Sequence, residues 1–219
     1  MRTATARDYA WIGATPWYAY GMAYGFSLLL ARGVTPADLR RVTAAEPQGT
    51  CTGTAGLIER QEELLDELDH ADEDFVSGLL TLPGDDGASW LLALQFDSGS
   101  GMTPDFARAL SAGGRAVLHS RNGGKPMDLF HWYEDGELRT AFEAAGTREG
   151  STPDTLLRQL REVGYPFTDE EHLATPVLDA KAAAFALAER LTGVRITEEL
   201  LRDAGFELVQ VPDGYTGDE

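Results

Sequence analysis

The chain has 219 residues, of which 43% are hydrophobic and 25% are charged, a composition ordinary for one folded domain with a sizeable core. Its 36 acidic and 18 basic residues give a formal net charge of -18. Binding to nucleic-acid backbones or anionic membranes needs clustered lysine and arginine, so this charge argues against both partners. An acidic field attracts a basic partner instead; the alternative is that the charge only maintains solubility.

The apolar stretch PWYAYGMAYGFSLLLA, residues 16–31, is the first predicted element. It is shorter than the roughly 20 apolar residues of a membrane span. Asp8 and the many aromatic residues argue against a signal peptide. The stretch therefore predicts a buried helix in a cytoplasmic protein.

Thr-Pro steps predict most of the other helix starts, because threonine caps free N–H groups and proline is tolerated at the first helical position. These steps are Thr15-Pro16, Thr35-Pro36, Thr103-Pro104, Thr152-Pro153 and Thr175-Pro176. A cap at Thr197 and a leucine stripe from Leu57 to Leu68 predict two more helices. The predicted helices lie near residues 16–31, 36–45, 55–69, 104–112, 153–163, 176–191 and 198–204.

Alternating or apolar segments between turn signals predict the strands. These segments are DFVSGLLTL, SWLLALQFD, GRAVLHS, DLFHWY, ELRTAF and FELVQV. The predicted fold class is α+β, an antiparallel sheet of about five or six strands with helices from both chain ends packed on it. Residues 1–211 are predicted to form a single domain, and residues 212–219 a frayed acidic tail.

The segment FHWYEDGELRTAF, residues 130–142, predicts a hairpin with a two-residue turn at Asp135-Gly136. The expected cross-strand pairs are Tyr133 with Leu138, His131 with Thr140, and Trp132 with Arg139. An exposed Trp132–Arg139 pair stacks as a cation–π contact and offers an interface anchor. The alternative is that the pair only covers the outer face of the sheet.

Two further groups are candidate binding residues. His119 and His131 lie on predicted neighbouring strands. If they face the same side, they would form a histidine–carboxylate site for acid–base catalysis. The alternative is that both are structural histidines whose hydrogen bonds are satisfied within the sheet. Arg121 and Lys125 lie in the loop RNGGKP, whose amides and cations suit an anion, although a plain connecting loop needs no such role.

Sequence patterns for metals and cofactors are incomplete. Cys51 is the single cysteine, which excludes an intrachain disulfide and a cysteine-based zinc site. The acidic stretch DELDHADED lacks the glycine of a calcium loop, and neither GTCTGTAG nor RNGGKP fits a nucleotide-binding pattern. We therefore predict no metal and no cofactor, and we assign no catalytic residue.

Three stretches together resemble an uncharacterised actinobacterial family, classed as a domain of unknown function. They are ARDYAWI, then YEDGELRTAFEAAG followed by STPDTL, and AFALAERLTGVRITEELL. The resemblance implies one domain that includes the N-terminal segment, and it supplies no catalytic residues.

The leading functional prediction is a non-enzymatic interaction protein whose acidic surface docks a protein partner, as an immunity or regulatory factor does. Three observations favour it: the net charge, the lack of a complete catalytic motif and the candidate Trp132–Arg139 pair. The alternative is a small-ligand-binding protein or enzyme that uses a His119/His131 site beside the 121–126 loop.

Overall fold

A computed structural model describes residues 3–67, 74–96, 103–125, 127–143, 146–165 and 177–212. Within them the chain forms one antiparallel sheet of nine strands. The strands are β1 Gly25–Arg32, β2 Glu46–Thr52, β3 Asp74–Pro83, β4 Ser89–Phe96, β5 Arg115–Asn122, β6 Asp128–Glu134, β7 Glu137–Phe142, β8 Arg148–Glu149 and β9 Gly205–Pro212. Their order across the sheet is β2-β9-β3-β4-β1-β5-β6-β7-β8.

Helices cover both faces of this sheet. A 3-10 helix, Ala6–Ala14, precedes the α-helices α1 Pro16–Tyr24, α2 Pro36–Thr43, α3 Gly53–Glu67, α4 Pro104–Leu110, α5 Leu157–Val163, α6 Val177–Thr192 and α7 Glu198–Asp203. The side chains of Thr35, Thr103 and Thr197 accept bonds from first-turn N–H groups, as predicted. Thr152-Pro153 lies in a turn before α5. Thr175-Pro176 lies outside the described residues.

The predicted sheet of five or six strands is wrong, because the sheet has nine. The six predicted segments correspond to β3, β4, β5, β6, β7 and β9. The prediction missed β1, β2 and β8. The mixture of helices with an antiparallel sheet agrees with the α+β class.

The largest error concerns residues 16–31, which do not form one helix. The helix ends at Tyr24, and Gly25 adopts φ 100° at the start of β1, a conformation that favours glycine. Strand β1 then lies between β4 and β5, where it is buried on both faces. A strand buried on both faces is apolar without alternation, so its sequence resembles that of a buried helix.

The sequence prediction missed strand β2 for the opposite reason. It is an edge strand with mostly exposed residues, and its pairing with β9 contains an irregularity between Pro47 and Gly49. Proline, bulges and polar side chains are typical of edge strands, since they discourage pairing with other chains. They also remove the hydrophobic pattern by which a strand is predicted. The other edge strand, β8, has only two residues.

Two hydrophobic cores lie on the two faces of the sheet. The larger core packs the 3-10 helix, α1, α3, α5 and α6 against one face, with Phe26, Val117 and Phe130 among its sheet residues. The smaller core packs α2 and α4 against the other face, over Leu29, Leu118 and related side chains. Because neighbouring residues of a strand point to opposite faces, successive buried positions of the central strands belong alternately to the two cores.

Candidate functional site

The two candidate histidines lie on opposite faces of the sheet. His119 pairs with Phe130 across β5 and β6, whereas His131 pairs with Leu118. Side chains of paired residues share a face, so His119 points into the larger core and His131 to the face of the smaller one. The structure therefore does not bring the two histidines together.

His119 is surrounded by aromatic rings. Its imidazole makes edge contacts with Phe26 and Phe185, at centroid distances of 5.2 and 5.4 Å. Only 2% of the residue is exposed, and burial lowers the pKa of His119 to about 4. The imidazole is therefore uncharged at neutral pH.

A buried ionic cluster lies beside His119 and contains Arg121, Asp128 and Lys181. Arg121 and Asp128 are a cross-strand pair on β5 and β6, with 2.9 Å between Nη1 and Oδ2. The same Oδ2 atom also pairs with Nζ of Lys181, a residue of α6, at a distance of 2.5 Å. This ionic cluster ties the β5–β6 hairpin to the longest helix on the larger-core face.

The environment of Lys181 is unusual for a lysine, because its side chain is 2% exposed. Burial lowers its pKa, and the adjacent Asp128 carboxylate opposes that shift. Oδ1 of Asp128 is buried and makes no hydrogen bond within the described part of the chain. Sequence reasoning missed both residues; the one available signal was a single charge in the apolar run AKAAAFALA of α6.

The two predicted loop cations occupy different environments. Arg121 is buried in the ionic cluster, whereas Lys125 is exposed and its N–H donates to the side chain of Asn122 at 2.9 Å. Pro126 lies outside the described residues. The loop therefore does not present both cations to one ligand.

The predicted Trp132–Arg139 pair is not formed, and this expectation was wrong. The two-residue turn at Asp135-Gly136 is confirmed, since both residues have positive φ and Tyr133 pairs with Leu138. A register shift follows, and Trp132 pairs with Thr140. Arg139 is the extra residue of the bulge.

Trp132 is buried in the larger core and is 7% exposed. Its ring lies below Arg115, whose Cζ is 5.7 Å from the ring centroid. Arg115 in turn pairs with Glu134 and donates to the carbonyl of Leu191. Arg139 pairs with Glu137 instead. The cation–π contact therefore exists with a different arginine, inside the fold.

A surface cavity lies where α1, α3 and α7 meet. Its volume is about 230 Å³, and its walls are largely apolar. Trp17, only 4% exposed, forms one wall, and Ala55 and Ile58 of α3 form another. The lining is completed by Thr15, Pro16, Thr54, Glu198 and Arg202.

The two helices α3 and α7, which contribute residues to this cavity, also carry many exposed carboxylates. Exposed acidic residues on the two helices are Glu59, Glu62, Glu63, Asp66, Glu198, Glu199 and Asp203. The basic residues of these helices, Arg60 and Arg202, pair with Glu63 and Asp203 at 2.9 and 2.8 Å. We call this surface, with its cavity, the acidic face.

Comparison with known proteins places the chain in a family. A family model described as "Family of unknown function (DUF6461)" matches residues 2–215. The chain belongs to this family. No curated protein and no solved structure matches the chain. The predicted membership of an uncharacterised family is thus confirmed, and the family description names no activity.

A metal site and a membrane-spanning helix are both absent from the described residues. Within them, no group of three or more histidine, cysteine, aspartate or glutamate side chains is arranged to hold a metal ion. The described helices include none that is long and apolar enough to cross a membrane. The acidic stretch 66–74 falls largely outside the described residues.

Proposed function

We propose that this member of the family is a non-enzymatic interaction protein of the cytoplasm, which docks a basic segment of a partner protein on its acidic face. An immunity or regulatory role and an actinobacterial source are part of this proposal. The observation that carries it is the apolar cavity beside Trp17, which is lined by Glu198 and lies between two helices, α3 and α7, that carry further exposed carboxylates.

The size of the cavity suits one large apolar side chain. A cavity of about 150 Å³ in a protein holds a benzene molecule. The cavity of the acidic face, at about 230 Å³, has room for a leucine or phenylalanine side chain. Interfaces concentrate their binding energy in such buried anchors, so this side chain would supply most of the affinity.

The surrounding charge sets the nature of the partner. Lysine or arginine residues beside the anchor would meet Glu59 and Glu62 on α3 and Glu198 on α7, all of which are exposed. Exposed charges raise the rate of association and select the partner more than they increase affinity. Binding should therefore weaken as salt screens the charges.

The test uses variants that alter the acidic face and spare the core. Ala55→Phe fills the cavity from an exposed position, and the double variant Glu59→Gln, Glu62→Gln removes two carboxylates. The matched control is Glu46→Gln, Glu143→Gln, which removes two exposed carboxylates elsewhere. A photo-crosslinking residue at position 55 identifies the contacting protein in an extract of the source organism.

Purified partner is then titrated against each variant at low and high salt. We expect Ala55→Phe and the α3 double variant to weaken binding about 3- to 10-fold or more, and the control to match the wild type. High salt should weaken the wild type most. Equal binding by all four proteins, or binding insensitive to salt, would contradict the proposal.

A further inference from the structure

A second cavity lies at the β8 end of the sheet, on the face of the smaller core. Its volume is about 480 Å³. Leu129 and His131 of β6 and Ala141 of β7 lie on one side of it. The described residues that line it are Leu129, His131, Ala141, Phe142, Glu143, Gly146, Thr147, Arg148 and Glu149.

The register of three strands explains why this space is open. His131 of β6 pairs with Ala141 of β7, and Ala141 pairs with Glu149 of β8. The three side chains therefore stand in one row on one face, with strands about 4.8 Å apart. Ala141, whose side chain is a single methyl group, occupies the position between His131 and Glu149 in this row, and the cavity lies over it.

His131 presents an uncharged imidazole to the cavity. The residue is 8% exposed, and burial lowers its pKa to about 4. Nδ1 is buried and has no hydrogen-bond partner within the described residues, and the His131 side chain lines the cavity. A neutral imidazole with its proton on Nδ1 accepts a hydrogen bond at Nε2.

The mouth of the cavity carries negative charge. Glu143 and Glu149 are both exposed. Arg148, the one cation among the described lining residues, pairs with Asp154 through Nη2 at 2.7 Å and Nε at 3.2 Å. A cation entering the cavity would therefore meet carboxylates and a hydrogen-bond acceptor, while a carboxylate would be repelled.

We propose that this cavity binds a small primary amine with an apolar body. The ammonium group lies between the Glu149 carboxylate and Nε2 of His131 and donates a hydrogen bond to each. The carbon body lies on Leu129 and Ala141. This site is independent of partner docking on the acidic face, which lies at α3 and α7.

The test compares three ligands of one size and different charge. Phenethylamine, 2-phenylethanol and phenylacetate are titrated into isotopically labelled protein at pH 7.4 and constant ionic strength. We expect saturable shifts at His131 and Ala141 with the amine, at a Kd of about 1 mM or below. The amine should bind about tenfold more tightly than the alcohol. The carboxylate should not saturate.

Two variants locate the binding. Glu149→Gln, at an exposed position, should weaken the amine about 3- to 10-fold. Ala141→Val narrows the cavity and should abolish binding of the amine. Thermal melting of this variant tests whether it still folds. Glu46→Gln is the matched control, an exposed carboxylate on the opposite sheet edge. Three results would overturn the proposal. They are equal affinity for the amine and the alcohol, saturable binding of the carboxylate, and equal effects of Glu149→Gln and Glu46→Gln on amine binding.

Discussion

Two buried histidines couple the stability of this protein to pH. His119 and His131 lie in separate cores, and burial lowers the pKa of each from 6.5 to about 4. In the unfolded chain both imidazoles are solvated and keep the ordinary pKa. The folded state therefore binds fewer protons than the unfolded state between these two values.

We predict that the free energy of unfolding falls as pH decreases from about 6.5 to about 4, by up to about 3 kcal/mol for each histidine. The sign follows because the unfolded chain takes up protons that the folded chain does not. His119→Leu should reduce the slope against pH by as much as one proton. Urea unfolding at intervals of half a pH unit measures both slopes.

The carboxylates are common to wild type and variant, so their contribution to the slope cancels in the difference. A wild-type slope equal to that of His119→Leu would contradict the assignment. His131→Leu provides an independent repetition in the other core.

A second prediction at the scale of single residues concerns the ionic cluster of Arg121, Asp128 and Lys181. Asp128→Ala should lower the free energy of unfolding by about 3–5 kcal/mol, because it leaves two buried cations without their shared carboxylate. Lys181→Met should cost less, since Arg121 still pairs with Asp128 and methionine fills similar space. Urea unfolding at pH 7 compares the two. A larger loss for Lys181→Met would show that the lysine, and not the carboxylate, holds the cluster.

At the scale of elements, a β-bulge decides which side chains meet. The carbonyl of Leu138 accepts the N–H of Ser151 at 3.0 Å, and that of Arg139 accepts the N–H of Thr152 at 2.8 Å. The segment after β8 thus binds the bulge directly. Without the bulge, Trp132 would face Arg139; with it, Trp132 pairs with Thr140.

Gly150 is essential to this contact, and its replacement gives a third prediction. A Cβ at Gly150 would lie 2.6 Å from the carbonyl oxygen of Arg139, and φ is 108°. Gly150→Ala should therefore destabilise by more than about 1 kcal/mol, the cost of positive φ alone. The matched control, Gly164→Ala, has φ 90° but open space around its Cβ. Equal losses of thermal stability in the two variants would contradict the steric argument.

At the scale of the whole molecule, the net charge makes the stability of the fold depend on salt. A formal charge of -18 makes the folded state repel itself, and salt screens the repulsion. We predict that Tm rises by about 2–4 °C between low salt and about 0.5 M NaCl. The rise should be smaller in the Glu59→Gln, Glu62→Gln variant. Calorimetry measures both, and a constant or falling Tm would contradict the prediction.

Much of the fold was predictable because helix caps and tight turns depend on residues close together in the sequence. The caps at Thr35, Thr103 and Thr197 and the turn at Asp135-Gly136 each depend on a few neighbouring atoms. The candidate site was less predictable. His119, His131, Arg121 and Trp132 were named from the sequence, but the partners of these residues belong to other elements.

The sequence alone determined the helix starts after Thr35, Thr103 and Thr197, the six patterned strands and the acidic charge, since each depends on short-range sterics or on composition. Only the tertiary structure decided that residues 25–32 form a central strand and that Lys181 reaches Asp128. It also decided that Glu149, Ala141 and His131 stand in one row. The physical reason is that strand pairing and burial join residues distant in sequence, where one bulge changes every pairing that follows.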